Sequence, residues 1–357
     1  MDQRGRIAAA LLTVLCATSA CANTPASQSA EPSAPAEAQA QLQYSSTPLP
    51  VGNSIDNYEL ARWSSPAPRA SGVKETLLVL HNADLHFARN IGFHVTGLTA
   101  SAYPKTDDQP LMLDDPTSFY IAAHQGQVVV SGEELSALLN EYTFNFKGAP
   151  LRQIRIDTRG GKLHFAGQYY RDGWVDFSMA GEISLENDHV LKFVADEVQV
   201  AGRPAAELLE AAHVKLGDIL SISANGVVLS GNTIRLKVLE MFPPPELRLS
   251  VQKASITDRG VVLEVDDGVE APEIKSIIDS DSDSYIVIKG GDVKIMRTVV
   301  RGANLELHSQ PPGEIVDLSL YRYREQVVAG AFRLLLEPEE IFIARVPSFG
   351  AASGASQ

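Results

Sequence analysis

His81, Asp84 and His86 lie close together in the chain, and imidazole and carboxylate are common metal ligands. On a strand, however, residues five apart point to opposite faces, so His81 and His86 could not share one ion. The run Asp279-Ser280-Asp281-Ser282-Asp283-Ser284 resembles the first half of a calcium-binding EF-hand loop. It has Ser284 where such a loop needs glycine and Gly290 where it needs a bidentate glutamate. It therefore reads as a solvated acidic loop. The only cysteines, Cys16 and Cys21, sit near the N-terminus. No disulfide framework and no cysteine-ligated zinc site is available to the rest of the chain. There is no Gly-x-Ser-x-Gly elbow, no His-Glu-x-x-His pair and no phosphate-binding Gly-Lys loop. These residues point away from catalysis, and no metal or cofactor is expected.

One cysteine has chemistry of another kind. Arg4 and Arg6 precede an apolar run from Ile7 to Leu15, and small residues follow at Ala17-Thr18-Ser19-Ala20. This is the pattern of a secretory signal, too short to span a bilayer. Thr18-Ser19-Ala20-Cys21 resembles a bacterial lipobox, which makes Cys21 the candidate lipidation site. Ala20-Cys21-Ala22 also suits ordinary signal peptidase, cutting after Ala22. Residues 1–22 are thus read as an export signal. The expected location is the periplasmic side of a bacterial envelope, lipid-anchored at Cys21 or, alternatively, soluble. From Asn23 to Gln43 the chain is alanine, proline, serine, glutamine and glutamate. Such a segment buries too little apolar surface to fold. Together with Tyr44 to Gly72 it forms a tether and linker over residues 23–72.

The whole chain has 357 residues, is 45% hydrophobic and 21% charged, and carries a formal charge of −14. That balance fits a globular body and leaves no clustered lysine and arginine for nucleic acid. It also gives no electrostatic attraction to anionic lipid. No apolar run after the signal is long enough to cross a bilayer as a helix.

The body must be built mostly from strands. Ile154, Ile156 and Thr158 alternate with Arg155 and Asp157, and Arg159-Gly160-Gly161-Lys162 marks a turn. Val175, Phe177, Met179, Gly181, Ile183 and Leu185 line one face of a further strand, with Asp176, Ser178, Glu182 and Glu186 on the other. One apolar and one wet face is the signature of antiparallel sheet covered on a single side. Two helices interrupt this pattern. Ser131-Gly132-Glu133-Glu134 is a capping box, followed by Leu135, Leu138, Leu139 and Tyr142 at helical spacing. A second helix is expected from Pro204, with Leu208, Leu209, Leu216 and Leu220 in its stripe. A strand-rich stretch from Tyr285 to Val346 follows, with a helical turn near Ser319 to Gln326.

Several segments carry a resemblance. Val128 to Asn140, Gly148-Ala149-Pro150-Leu151, Val198-Gln199-Val200-Ala201-Gly202 and Phe242-Pro243-Pro244-Pro245-Glu246-Leu247-Arg248 resemble the LmeA-like phospholipid-binding family. That family is related to the tubular lipid-binding (TULIP) superfamily. Tyr285 to Gly291 and Tyr321 to Gln326 are similar to an extension in some Gram-negative members. The likeness covers roughly residues 120–345. It departs at Leu236-Lys237-Val238-Leu239, where family members carry an acidic, proline-flanked turn.

The resemblance implies an α+β, mainly β fold. In it a long curved antiparallel sheet wraps around amphipathic helices, with a strand-rich C-terminal extension. The implied division is a lipid-binding domain over 73–270, an extension packing on it over 271–349, and a disordered tail over 350–357. The implied function is that of a non-enzymatic envelope protein sheltering phospholipid acyl chains between sheet and helices. Its partners would be a phospholipid or similar diacyl lipid, and the membrane through an N-terminal anchor. The candidate seam consists of Leu135, Leu138, Leu139 and Tyr142 from the first helix, Phe177, Met179 and Ile183 from the sheet, and Leu208, Leu209 and Leu216 from the second helix. The same residues equally describe a filled core, in which case the protein is a scaffold of the same fold.

Overall fold

The computed structural model describes residues 75–88, 90–170, 173–205, 221–230, 232–270, 274, 276, 283–335 and 341–349. The export signal, Cys21, the tether, the second helix with Leu208, Leu209 and Leu216, Asp279 to Ser282 and the tail lie outside them.

The chain opens on a long hairpin, β1 (Thr76–Ala88) and β2 (Ile91–Pro104). After the short β3 (Leu111–Met112), β4 (Phe119–Val130) returns beside β2. Helix α1 (Gly132–Ala137) leads to a meander of β5 (Leu151–Arg159), β6 (Lys162–Tyr170), β7 (Trp174–Asn187) and β8 (Val190–Val200). The two-residue β9 (Arg203–Pro204) folds back on β8. Strands β10 (Ser221–Ala224), β11 (Val227–Ser230) and β12 (Thr233–Lys237) extend that sheet. A single turn, α2 (Val238–Met241), is followed by β13 (Glu246–Arg248) and the hairpin of β14 (Val251–Thr257) and β15 (Gly260–Asp266). The last part contains β16 (Tyr285–Lys289), β17 (Asp292–Ile295), β18 (Thr298–Arg301), β19 (Asn304–Gln310) and β20 (Val316–Ser319). It ends with α3 (Tyr323–Ala329), β21 (Ala331–Leu335) and β22 (Ile341–Pro347).

Three sheets result. The largest has the order β14-β15-β4-β2-β1-β16-β19-β22-β21, with β13 on β4 and β20 on β1, and it curls into a half-barrel. The second runs β10-β11-β12-β8-β7-β6-β5, and a small third sheet is β18-β17-β3. Apolar residues of the two large sheets form one continuous core.

Three expectations are refined. Antiparallel pairing dominates, but β4–β13, β1–β20, β19–β22 and β3–β17 are parallel. The C-terminal stretch does not merely pack on the preceding body. It completes the same sheet, because β1 pairs with β16 through Leu77–His81 and then with β20 through Ala83–His86. Asn82, in left-handed conformation at φ 46°, marks the change of partner. Ser284 fastens the junction: its Oγ donates to the Asn82 carbonyl at 2.7 Å and accepts from the Val316 amide at 2.7 Å.

The third concerns the helices. Helix α1 packs on β5 and β2, and the helical residues that reach the inside of the curl are Val238 of α2 and Tyr323 and Val327 of α3. Its capping box forms as the sequence predicts, with Ser131 Oγ accepting from the Glu134 amide and Glu134 Oε2 accepting from the Ser131 amide. Beyond Ala137 the winding becomes π-helical over Leu138–Thr143. The neighbouring strand accompanies this change. β5 is an edge strand, and an edge leaves backbone groups without ladder partners. Asn140 accepts from the Ile154 amide at 2.9 Å and donates to the Ile154 carbonyl at 2.7 Å. Ser136 Oγ accepts from the Ile156 amide at 2.8 Å. The helix thus pairs the edge through side chains. Glycine is required at its start, since a Cβ on Gly132 would sit 2.4 Å from the Ile156 carbonyl oxygen.

Candidate functional site

The concave face of the half-barrel is apolar because alternate residues of successive strands point into it. Leu98, Ala100 and Ala102 do so from β2, Ile286 and Ile288 from β16, and Leu305 and Leu307 from β19. The alanines on β2 and Ala123 on β4 are small, so they leave the middle of the curl under-filled. The result is a cavity of about 730 Å³. Small-molecule sites in proteins typically occupy about 300–1,000 Å³ and are mostly apolar.

The walls come from late in the chain. Ile295 and Val300 of the β17–β18 hairpin cover one side. Tyr323 of α3 holds that hairpin in place. Its hydroxyl donates to the Asp114 carboxylate and accepts from the Met296 amide at 3.0 Å. Arg324 donates to the same carboxylate at 2.7 Å. That hydrogen bond outweighs the effect of burial and, with the tyrosine, holds the Asp114 carboxyl below the ordinary range. Burial first, and then the ionised Asp114, push the Tyr323 phenol up. Phe332, Leu334 and Phe342 of β21 and β22 also line the cavity, yet they are 45%, 49% and 39% exposed, so they form part of its mouth.

Polar side chains on the lining are few. Arg248 is neutralised: it donates to Glu246 at 2.9 Å, and its guanidinium lies 3.5 Å from the centre of the Tyr120 ring. Burial raises the Glu246 carboxyl, but Arg248 and Lys105 outweigh it and leave the group below its usual range. Thr298 opens β18, Arg301 closes it, and Asn304 opens β19.

The seam residues named from the sequence lie elsewhere. Leu135, Leu139, Phe177, Met179 and Ile183 line a second, smaller void between the two large sheets. Its volume is about 60 Å³. That is roughly two waters' share of liquid volume, too little for an acyl chain. Leu138 is wholly buried and Tyr142 half-buried in the core, and neither lines either space. Leu208, Leu209 and Leu216 lie outside the described residues. Val130, Val238, Phe242 and Leu263 line both spaces and so partition them. Phe242 packs against Phe87 and Phe93, each at 5.7 Å between ring centres. The larger cavity could have been suspected from Leu98, Ala100 and Ala102, an apolar face that thins to methyl groups.

Residues singled out for metal chemistry are dispersed. His81 bonds the Asp283 carbonyl at 2.8 Å, Asp84 bonds His94 at 2.7 Å, and His86 pairs with Asp317 at 3.0 Å. Among the described residues no group of three or more His, Cys, Asp or Glu side chains could hold a metal ion.

One constellation escaped the sequence. Asp267 Oδ2 lies 2.8 Å from His124 Nδ1, and His124 Nε2 lies 2.7 Å from Ser101 Oγ. A β-bulge creates it: Thr99 pairs with Gln125 and Ala100 with Ala123, so His124 is the extra residue. The order matches a nucleophile, base and orienting acid. Its surroundings do not serve that chemistry. Ser101 is fully buried, alternates with the cavity-facing alanines and so points to the other side of the sheet, and its hydroxyl donates to Glu75 at 2.5 Å. Tyr103 donates to the same carboxylate at 2.9 Å. The chain Asp267–His124–Ser101–Glu75 ties β15, β4, β2 and the start of β1 together.

Comparisons with protein-family models, with characterised proteins and with solved structures find no match to this chain.

Proposed function

We propose that this protein is a lipid-binding protein of the bacterial envelope. It would shelter the acyl chains of a phospholipid or similar diacyl lipid within the half-barrel, for lipid transport or envelope maintenance. The observation that carries this reading is the apolar cavity of about 730 Å³. The export pattern expected from the sequence of residues 1–22 points the same way. Each methylene buried in such a space contributes about 0.8 kcal/mol. About five to twenty of them offset the immobilisation cost of a small ligand, which is on the order of 4–15 kcal/mol. A site of this kind needs only a few polar groups to orient its ligand.

The test is organic-solvent extraction of the purified protein followed by mass spectrometry. Near-stoichiometric lipid is expected. Protein that carries no lipid and does not take up a fluorescent acyl probe would sink the proposal. A scaffold of the same fold would then be the better reading.

A further inference from the structure

The lining of the large cavity contains two cationic side chains, and their surroundings differ. Arg248 is paired with Glu246 and stacked on Tyr120. Arg301 is exposed at the end of β18, opposite Asp292 in the β17–β18 ladder, and its side chain makes no hydrogen bond or ion pair among the described residues. Of its polar neighbours on the lining, Thr298 stands at the opposite end of β18, across from Ile295, and Asn304 has a partner of its own. Most of the remaining lining is aliphatic or aromatic. The cavity therefore has a mainly apolar lining with one exposed cation whose side chain is not paired. A wholly apolar ligand would gain nothing from that cation. An amphiphile with an anionic head would place its tail inside and its head against the guanidinium, which bonds carboxylate and phosphate through a fork of donors.

From this asymmetry we infer that Arg301 selects the ligand's head group: the site takes an acyl chain ending in a carboxylate or phosphate, in preference to a neutral lipid of the same length. The inference rests on the cavity being a lipid site and adds to it a specificity-determining residue.

The experiment titrates the full chain with three probes: a fluorescent long-chain fatty acid, its methyl ester, and a fluorescent anionic phospholipid, all kept below the concentration at which they form micelles or vesicles. The wild type should bind the fatty acid about fivefold more tightly than the ester, the range expected for an exposed charge-assisted pair. Arg301→Gln should abolish that preference while leaving ester affinity and the melting temperature unchanged, and Arg301→Lys should retain part of it. Loss of affinity for the phospholipid probe in Arg301→Gln would extend the selection to phosphate, and loss for the fatty acid alone would confine it to carboxylate. Equal affinity of the wild type for acid and ester, or a preference that survives in Arg301→Gln, overturns the assignment to Arg301 and leaves the cavity reading standing. Failure of all three probes to bind overturns both.

Discussion

At the scale of single residues, His86 links the curl of the sheet to solution pH. It projects from β1 toward Asp317 on the parallel partner β20, with Nε2 3.0 Å from the carboxylate. Burial of the ring disfavours its charge, but the adjacent Asp317 carboxylate, helped by Asp84 and Glu134, raises its pKa above the ordinary value of 6.5. A group whose folded pKa is raised stabilises the fold fully below its unfolded pKa, and that contribution is lost as pH climbs through the folded value. Melting curves of the wild type and of His86→Gln should therefore differ most below pH 6.5 and converge as the pH rises above it. A constant difference across that window would show that the pair does not contribute through charge.

At the scale of elements, the helix and the strand stripes have separate duties. Helix α1 and its π-helical continuation close the edge of β5, and Leu138 beneath them is wholly buried in the core and lines neither space. Leu138→Trp should overpack this region and cost about 1–3 kcal/mol, with lipid content per folded molecule unchanged. Ala123→Phe places its ring in the larger cavity instead. There it should leave the melting temperature nearly unaltered and reduce co-purified lipid. Thermal melting and lipid analysis on both proteins check the division. If the tryptophan variant were the one that lost lipid while melting normally, the binding seam would lie between the two large sheets, as the helical stripe first suggested.

At the scale of the molecule, the described body begins at residue 75, far along the chain from the candidate acylation site. Cys21 and the tether lie outside the described residues, so the prediction here rests on sequence. A flexible segment of roughly fifty residues has a root-mean-square reach of about 40 Å. An acyl anchor at Cys21 would let the cavity mouth at Phe332, Leu334 and Phe342 meet a bilayer without a basic surface. Cys21→Ser should move the protein from the membrane fraction to the soluble periplasmic fraction. Wild-type protein that is already soluble, with Asn23 as its mature N-terminus, would rule the anchor out.

Local order was legible in the chain. The alternation in β7, the turn at Gly160-Gly161 and the Ser131–Glu134 box each depend on residues a few positions apart, and the structure contains all three. The mainly β character follows from them. What the sequence could not specify was which apolar faces would meet and how completely. The cavity exists because β1 pairs with β16, two hundred positions downstream, and because β17–β18 and β21–β22 close over small residues on β2 and β4. Periodicity marks a face as buried, but the volume left in front of it depends on the partner that packs there. The stripe of Leu135, Leu138 and Leu139 met a partner that filled it, and the stripe of Leu98, Ala100 and Ala102 did not. The same limit hid Asp267–His124–Ser101, whose members come from β2, β4 and the residue after β15 and meet only through a bulge. Short-range spacing determined the elements of this protein, and long-range strand pairing decided where its space lies.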